Sequence, residues 1–189
     1  MKYLPLFKMP KPMKITGRSS SITNAFVNSI IPVVEPTEEQ VKKALSVLDM
    51  LENHQCSYCG ATATEWDHLR PLVLDKKPTG YISEIHNLVP ACGKCNQSKG
   101  NKKWHQWMLS DAPLSPKTKA IPDIEVRINR LKDYENWSMP THMDFESIVG
   151  KETWDRHWDN CEQIQDIMRK AQKTAEQINT KVVHAYENL

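Results

Sequence analysis

No stretch of this chain approaches the roughly 20 consecutive apolar residues that a membrane-spanning helix needs. The best run, residues 25–34, is interrupted by Asn28, Ser29 and Pro32. Residues 1–14 hold four lysines and three prolines but no continuous apolar core, so no signal peptide is expected. Charge of one sign is not in excess either. Lys and Arg number 25 against 23 Asp and Glu, a net charge of +2, which excludes a polybasic, histone-like chain. Glycine is scarce, at 6 residues in 189 with 12 prolines, and this argues against low complexity. Nothing repeats at a fixed period. An even cysteine count is also missing, because five cysteines cannot all pair within one chain. The expected location is the reducing cytoplasm, where closely spaced cysteines are more often metal ligands than disulfides.

The near-zero total hides an uneven layout. Residues 1–34 carry +5, 35–90 carry −4, 91–119 carry +5 and 120–189 carry −4. Two basic patches in a near-neutral chain point to an anionic partner touched at defined places. At about 150 residues per domain, the length suits one domain with appendages. The expected division is a basic N-terminal arm (1–35), a central zinc domain with its preceding helix (36–110), and a helical C-terminal region (111–189). Thr37 reads as the N-cap of a helix, with Gln40 completing a capping box and the helix running to near Asn53. Short apolar pieces around Trp66–Leu74 and Tyr81–Val89 suit strands. A short helix is expected after Cys92 through Trp107, and another over Asp123–Trp137. From Glu152 onward apolar residues step by threes and fours, predicting a long amphipathic helix suited to packing or dimerisation.

Cys56-Ser57-Tyr58-Cys59 and Cys92-Gly93-Lys94-Cys95 form two C-x-x-C knuckles. Two such knuckles supply four thiolates to one tetrahedral Zn²⁺, a structural site with no open position for substrate. Gly60 and Gly93 sit where such turns favour glycine. The intervening 32 residues exceed the usual ribbon spacing, so something is inserted between the knuckles. Cys161 falls on the apolar face of the last helix and reads as a small core hydrophobe.

The insertion holds Trp66-Asp67-His68-Leu69-Arg70-Pro71 and Ile85-His86-Asn87-Leu88-Val89-Pro90, and the second knuckle runs on into Asn96-Gln97-Ser98-Lys99-Gly100. Carboxylate and carboxamide oxygens are hard ligands that suit Mg²⁺ or Mn²⁺, and a histidine can take a proton from water near neutral pH. These parts suit a one-metal phosphodiester hydrolase. His86 lies away from any carboxylate and reads as structural, as do Trp104 and Trp107.

The order D-H-x-x-P, then N-L-x-P-x-C-x-x-C-N-x-x-K-G, resembles the HNH endonuclease family, in its four-cysteine zinc branch. The match covers about Cys56 to Lys103, roughly a quarter of the chain. The third family letter is often His, so this sequence is an H-N-N variant. The resemblance implies an α+β fold: a small ββα-metal core with a structural zinc, surrounded by helices. It implies that His68 is the general base, that Asp67 and Asn96 hold a catalytic Mg²⁺ or Mn²⁺, and that Asn87 secures the loop between the strands and orients His68. Lys99, Lys102, Lys103 and Arg70 would contact DNA phosphates. The implied reaction is hydrolysis of double-stranded DNA, leaving 5′-phosphate and 3′-hydroxyl ends. Restriction or defence is the expected role, with nicking, phage-packaging and homing enzymes using the same chemistry. Arg18, Ser19, Ser20 and Asn24 suit DNA recognition, and the C-terminal helix suits a homodimer. A non-catalytic zinc module that binds DNA or protein and a nuclease acting on RNA are the competing readings.

Overall fold

The computed structural model describes residues 9–137 and 139–189; Lys2 and Lys8 of the basic arm lie outside them. Contacts divide the chain into two units, Val27–Ile148 and a second made of residues up to Phe26 with Val149–Leu189. The elements are α1 (Ser19–Asn28), α2 (Glu38–Val47), β1 (Glu65–His68), β2 (Val73–Leu74), β3 (Lys77–Pro78), β4 (Leu88–Ala91), α3 (Gly93–Lys99), α4 (Trp104–Met108), α5 (Ile124–Trp137), α6 (Phe145–Val149) and α7 (Lys151–Glu187). Helices with two small sheets make an α+β fold. No helix among the described residues is long and apolar enough to cross a membrane.

Helix α2 begins as its sequence predicts. The Gln40 N–H donates to Thr37 Oγ1 at 3.2 Å, and the Thr37 N–H donates to Gln40 Oε1 at 2.8 Å. Replacing Thr37 with alanine leaves one of these donors unpaired, and urea unfolding is expected to show a loss of about 1 kcal/mol. The helix stops at Val47, well before Asn53. Asp49 adopts a left-handed backbone (φ 55°), and the Met50 N–H turns back to Leu45 O at 2.8 Å. This is a Schellman ending built on Asp rather than Gly. The Arg130 guanidinium holds the Asp49 carboxylate at 2.6 Å.

Strands β1 and β4 pair antiparallel, with Glu65 opposite Ala91 and His68 opposite Leu88. That register decides the site. One end of the ribbon carries both cysteine knuckles, and the other brings His68 beside the segment containing Asn87. The second sheet, β2 with β3, is a separate hairpin between the two main strands. The region expected to form a helix through Trp107 is two helices, α3 and α4, broken at Gly100 (φ 50°).

The core gathers Ala44, Leu45 and Leu48 of α2, Leu69, Val89, Trp107 and Met108, and Ile128, Leu131 and Tyr134 of α5. Residues 124–137, expected within a C-terminal helical region, therefore belong to the core of the unit that carries the cysteines. Arg127, buried on α5, explains why. Its Nη1 donates to Cys56 O at 3.1 Å, its Nη2 to Gln55 Oε1 at 3.3 Å, and its Nε to Asp123 Oδ1 at 3.0 Å. The Tyr134 hydroxyl donates to the Leu88 carbonyl at 2.8 Å and also to the Ile85 carbonyl.

In the other unit, α7 is one 37-residue helix with Cys161 and Gln165 buried. Gln165 Nε2 donates to Ser19 O at 3.0 Å, the Ile15 N–H donates to Gln172 Oε1 at 2.8 Å, and the Phe26 and His157 rings meet at a tilt with centroids 5.0 Å apart. The expected basic arm is thus partly helical. Arg18, Ser20 and Asn24 are exposed there, and Ser19 is half-buried.

Candidate metal and catalytic site

The four knuckle cysteines come together as their spacing predicts. The Sγ atoms of Cys56, Cys59, Cys92 and Cys95 all lie within 4.8 Å of one another. Four sulfurs at about 2.3 Å from one ion would stand roughly 3.8 Å apart, and the Cys59 and Cys92 sulfurs are 3.7 Å apart. The donor set fits a tetrahedral, thiophilic ion such as Zn²⁺. The Lys119 ammonium approaches Cys95 Sγ at 3.3 Å and offsets the negative charge of thiolates. The thiols are electrostatically linked. Hydrogen bonds from Cys56 and Cys95 hold Cys59 far below the ordinary thiol range, and the bond to Cys59 chiefly pushes Cys56 up to about 11. A divalent cation would replace the protons these sulfurs share.

The two glycines play different parts. Gly60 has φ +74°, and a Cβ there would meet Arg127 Nη2 at 2.5 Å, so both backbone and packing require glycine. Gly93 differs from the expected turn glycine: it opens α3 without a positive φ, and its added Cβ would press only on the Glu65 carboxylate.

The second centre lies along β1. Residues 65 and 67 share a face of the strand, and 96 and 99 share a face of α3. The two faces meet pairwise. Asn96 Nδ2 donates to Glu65 Oε2 at 3.0 Å, and the Lys99 ammonium pairs with Asp67 Oδ2 at 3.1 Å. Lys99 also donates to His68 O at 2.7 Å, and the Tyr58 hydroxyl donates to Asp67 Oδ2 at 2.6 Å. Asp67 and Lys99 are both buried. Burial pushes the Asp67 carboxyl above its ordinary range against the pull of Lys99, and pushes the Lys99 ammonium below its own against the pull of Asp67.

This departs from the sequence expectation for Lys99. It is fully buried and spends its donors inside the protein, so it is not placed to meet a DNA phosphate. The arrangement predicts a large stability effect. Lys99→Met leaves Asp67 buried without its cation, and a loss of about 3–5 kcal/mol in urea unfolding is expected. Adding Asp67→Asn to that variant should recover part of the loss, as a double-mutant cycle would show.

His68 ends β1 with its ring half-buried, and Nε2 lies 2.5 Å from Ser83 Oγ. Burial, then the nearby Lys99 charge, pushes the imidazole down to about 4, so it is neutral at pH 7. Asn87 is fully buried. It accepts from the Arg70 N–H at 2.8 Å and donates to Arg70 O at 3.1 Å, clamping the chain two residues beyond His68. The His86 ring packs at a tilt against Trp137, with centroids 4.9 Å apart, and Trp104 and Trp107 belong to the core. Lys102 and Lys103 are exposed; Lys102 Nζ donates to Ser98 O at 2.8 Å at the end of α3. Arg70 Nη2 lies 3.5 Å from Glu135 Oε1.

A cysteine-closed knuckle pair, a D-H strand end and a following helix stand in one small unit. Residues 56–102 match the HNH endonuclease family. This segment is an HNH endonuclease domain. A stretch of 60 residues, 30% of the chain, is 40% identical to the CRISPR-associated endonuclease Cas9 of Corynebacterium diphtheriae. The match spans 5% of that protein's length. No solved structure matches the chain.

Several residues that shape the HNH domain escaped sequence reasoning. Tyr58 sits inside the first knuckle as a spacer, and nothing in C-x-x-C marks its hydroxyl as a partner of Asp67. Glu65 was legible in principle, since it lies two residues before Asp67 on a strand. Ser83, Lys119 and Arg127 lie 15, 24 and 71 residues from the groups they contact, and no local pattern connects them.

Proposed function

We propose that the chain is a metal-dependent endonuclease that hydrolyses DNA phosphodiester bonds. The observation that carries this reading is the end of β1. There a neutral, half-buried His68 follows the buried Asp67 in the strand, and Asn87 clamps the backbone two residues further on at Arg70. In the proposed mechanism His68 removes a proton from water, which attacks phosphorus in line. With Nε2–H donated to Ser83 Oγ, Nδ1 keeps the lone pair that takes the proton. Oxygens of Asp67 and Asn96 would hold Mg²⁺ or Mn²⁺, which supplies charge stabilisation for the phosphoryl oxygens and the leaving 3′ oxygen. The oxygen donors are of the hard kind that suits these ions, and a cation on Asp67 would take the place that the Lys99 ammonium and the Tyr58 hydroxyl now hold. Asn96 spends its Nδ2 on Glu65, and Oδ1 is the atom suited to a cation. Zn²⁺ held by the four cysteines would tie the knuckle before β1 to the start of α3. Arg70, Lys102 and Lys103 contact neighbouring phosphates.

The products are 5′-phosphate and 3′-hydroxyl ends, and the role is restriction or defence by double-strand cutting in the cytoplasm. Cutting both strands with a one-metal site is most simply done by two copies, and α7 exposes Ile178, Val182 and Tyr186. Arg18, Ser19, Ser20 and Asn24 serve DNA recognition. One observation favours a second reading, a zinc module that binds DNA without cutting it: both Asp67 oxygens are engaged, by Tyr58 and Lys99. The experiment is incubation of several supercoiled and linear DNAs with Mg²⁺ or Mn²⁺, followed by end-labelling. The nuclease reading expects metal-dependent breaks whose 5′ ends accept label only after phosphatase treatment. Binding without breaks on every DNA supports the second reading.

A further inference from the structure

A cavity of about 840 Å³ opens beside the segment that follows His68. Leu69, Arg70 and Pro71 form one wall, Leu74 and Trp104 add apolar surface, and Lys103 stands on the rim. The volume falls in the range of about 300–1,000 Å³ typical of sites for small organic ligands. Its chemistry is split. Most of the surface is apolar, yet Arg70 Nη1 is buried without a hydrogen-bond partner. The same guanidinium is held over the Tyr81 ring at 5.8 Å, and Nη2 reaches Glu135 at 3.5 Å. A buried guanidinium N–H left unpaired is costly, and a rotation that turns the Arg70 guanidinium to an anionic oxygen in the cavity would satisfy it. Lys103 is exposed and adds positive charge on the same side.

An apolar wall with a cationic edge matches a nucleobase joined to its phosphate. We propose that this cavity holds one unstacked nucleotide of the DNA strand. Its phosphate lies on Arg70 and Lys103, and its base lies against Leu74, Pro71 and Trp104. DNA as the occupant rests on the nuclease reading. Chain continuity supports it, since Leu69, directly after His68, lines the cavity. The consequence is a preference for DNA whose bases can leave the stack: single strands, frayed ends or mismatches. Base contact of this kind tolerates any sequence, because every base has a flat apolar face.

The test is binding to the zinc-loaded full chain without Mg²⁺ or Mn²⁺, followed by fluorescence anisotropy. The probes are a single-stranded oligothymidylate, a duplex of the same length, and an abasic deoxyribose-phosphate oligomer. The single strand is expected to bind about tenfold more tightly than the duplex or the abasic oligomer, the scale of one stacked base. Leu74→Glu, at an exposed position, should reduce single-strand affinity to the abasic level, and Leu74→Gln should move it in the same direction without added charge. Arg70→Ala should weaken binding of both the single strand and the abasic oligomer. Equal affinity for the base-bearing and abasic oligomers, or unchanged binding by both Leu74 variants, would overturn the proposal. Because no cleavage is measured, selective binding with no cutting under any metal defeats the nuclease reading and leaves the cavity assignment standing.

Discussion

Replacing His68 with alanine is expected to lower the rate of DNA cleavage by about 10²–10⁴-fold, the contribution of a positioned general base. DNA binding should change little, because the ring is half-buried and paired with Ser83 rather than presented as a charge. The pH dependence follows from its surroundings. Burial and Lys99 push the imidazole down to about 4, so the base form persists well below the ordinary histidine value of about 6.5. The acid limb of cleavage should therefore lie below pH 6, and a bound cation on Asp67 would move it lower still. Stability runs the other way with acid. As pH falls from about 6.5 towards 4, the unfolded chain takes up a proton that folded His68 refuses, so this contribution to stability is present above 6.5 and lost through that window. Rates should be read alongside circular dichroism, and an acid limb at pH 6.5 in folded protein would contradict the assignment.

Replacing Cys95 with serine, or stripping the metal with a chelator, is expected to unfold the unit Val27–Ile148. Structural zinc contributes about 10–16 kcal/mol in small zinc domains at neutral pH, as much as or more than the roughly 5–15 kcal/mol by which a typical domain is stable. The ribbon itself is short, with four residues in each strand, and cannot replace that anchor. Near-ultraviolet ellipticity is the sensitive readout, since Tyr58 packs edge-on against Trp107 at 5.1 Å beside the cluster. Metal analysis should give about one zinc per folded chain. A metal-free protein with full near-ultraviolet signal would refute the zinc assignment.

How legible each part was depended on whether its cause was local. The α2 start was readable because Thr37 and Gln40 cap each other within one turn. Its end was not, because Asp49 takes a left-handed conformation usually reserved for glycine and is held by Arg130, 81 residues away. The cysteine cluster was readable because two short knuckles can converge on one ion whatever lies between them. The strand carrying Asp67 and His68 was readable from its motif, while the two hydrogen bonds of Asn87 to the Arg70 backbone join residues 17 apart. Lys99 was misjudged because the basic cluster 99–103 looks uniform in sequence. Only the packing of α3 across β1 turns one lysine inward and leaves Lys102 and Lys103 outside. The place of α5 could not be read because Arg127 and Tyr134 act through distant carbonyls.

In the proposed function one centre, at the end of β1, cuts DNA with a divalent metal. Its most direct test is the conversion of supercoiled DNA by the zinc-loaded chain as Mn²⁺ or Mg²⁺ is added, run side by side with His68→Ala. Metal-dependent cutting by the wild-type chain, reduced at least about a hundredfold in a folded His68→Ala protein, is the predicted result. Equal cutting by the two proteins, or none by either across DNAs and metals, would contradict it.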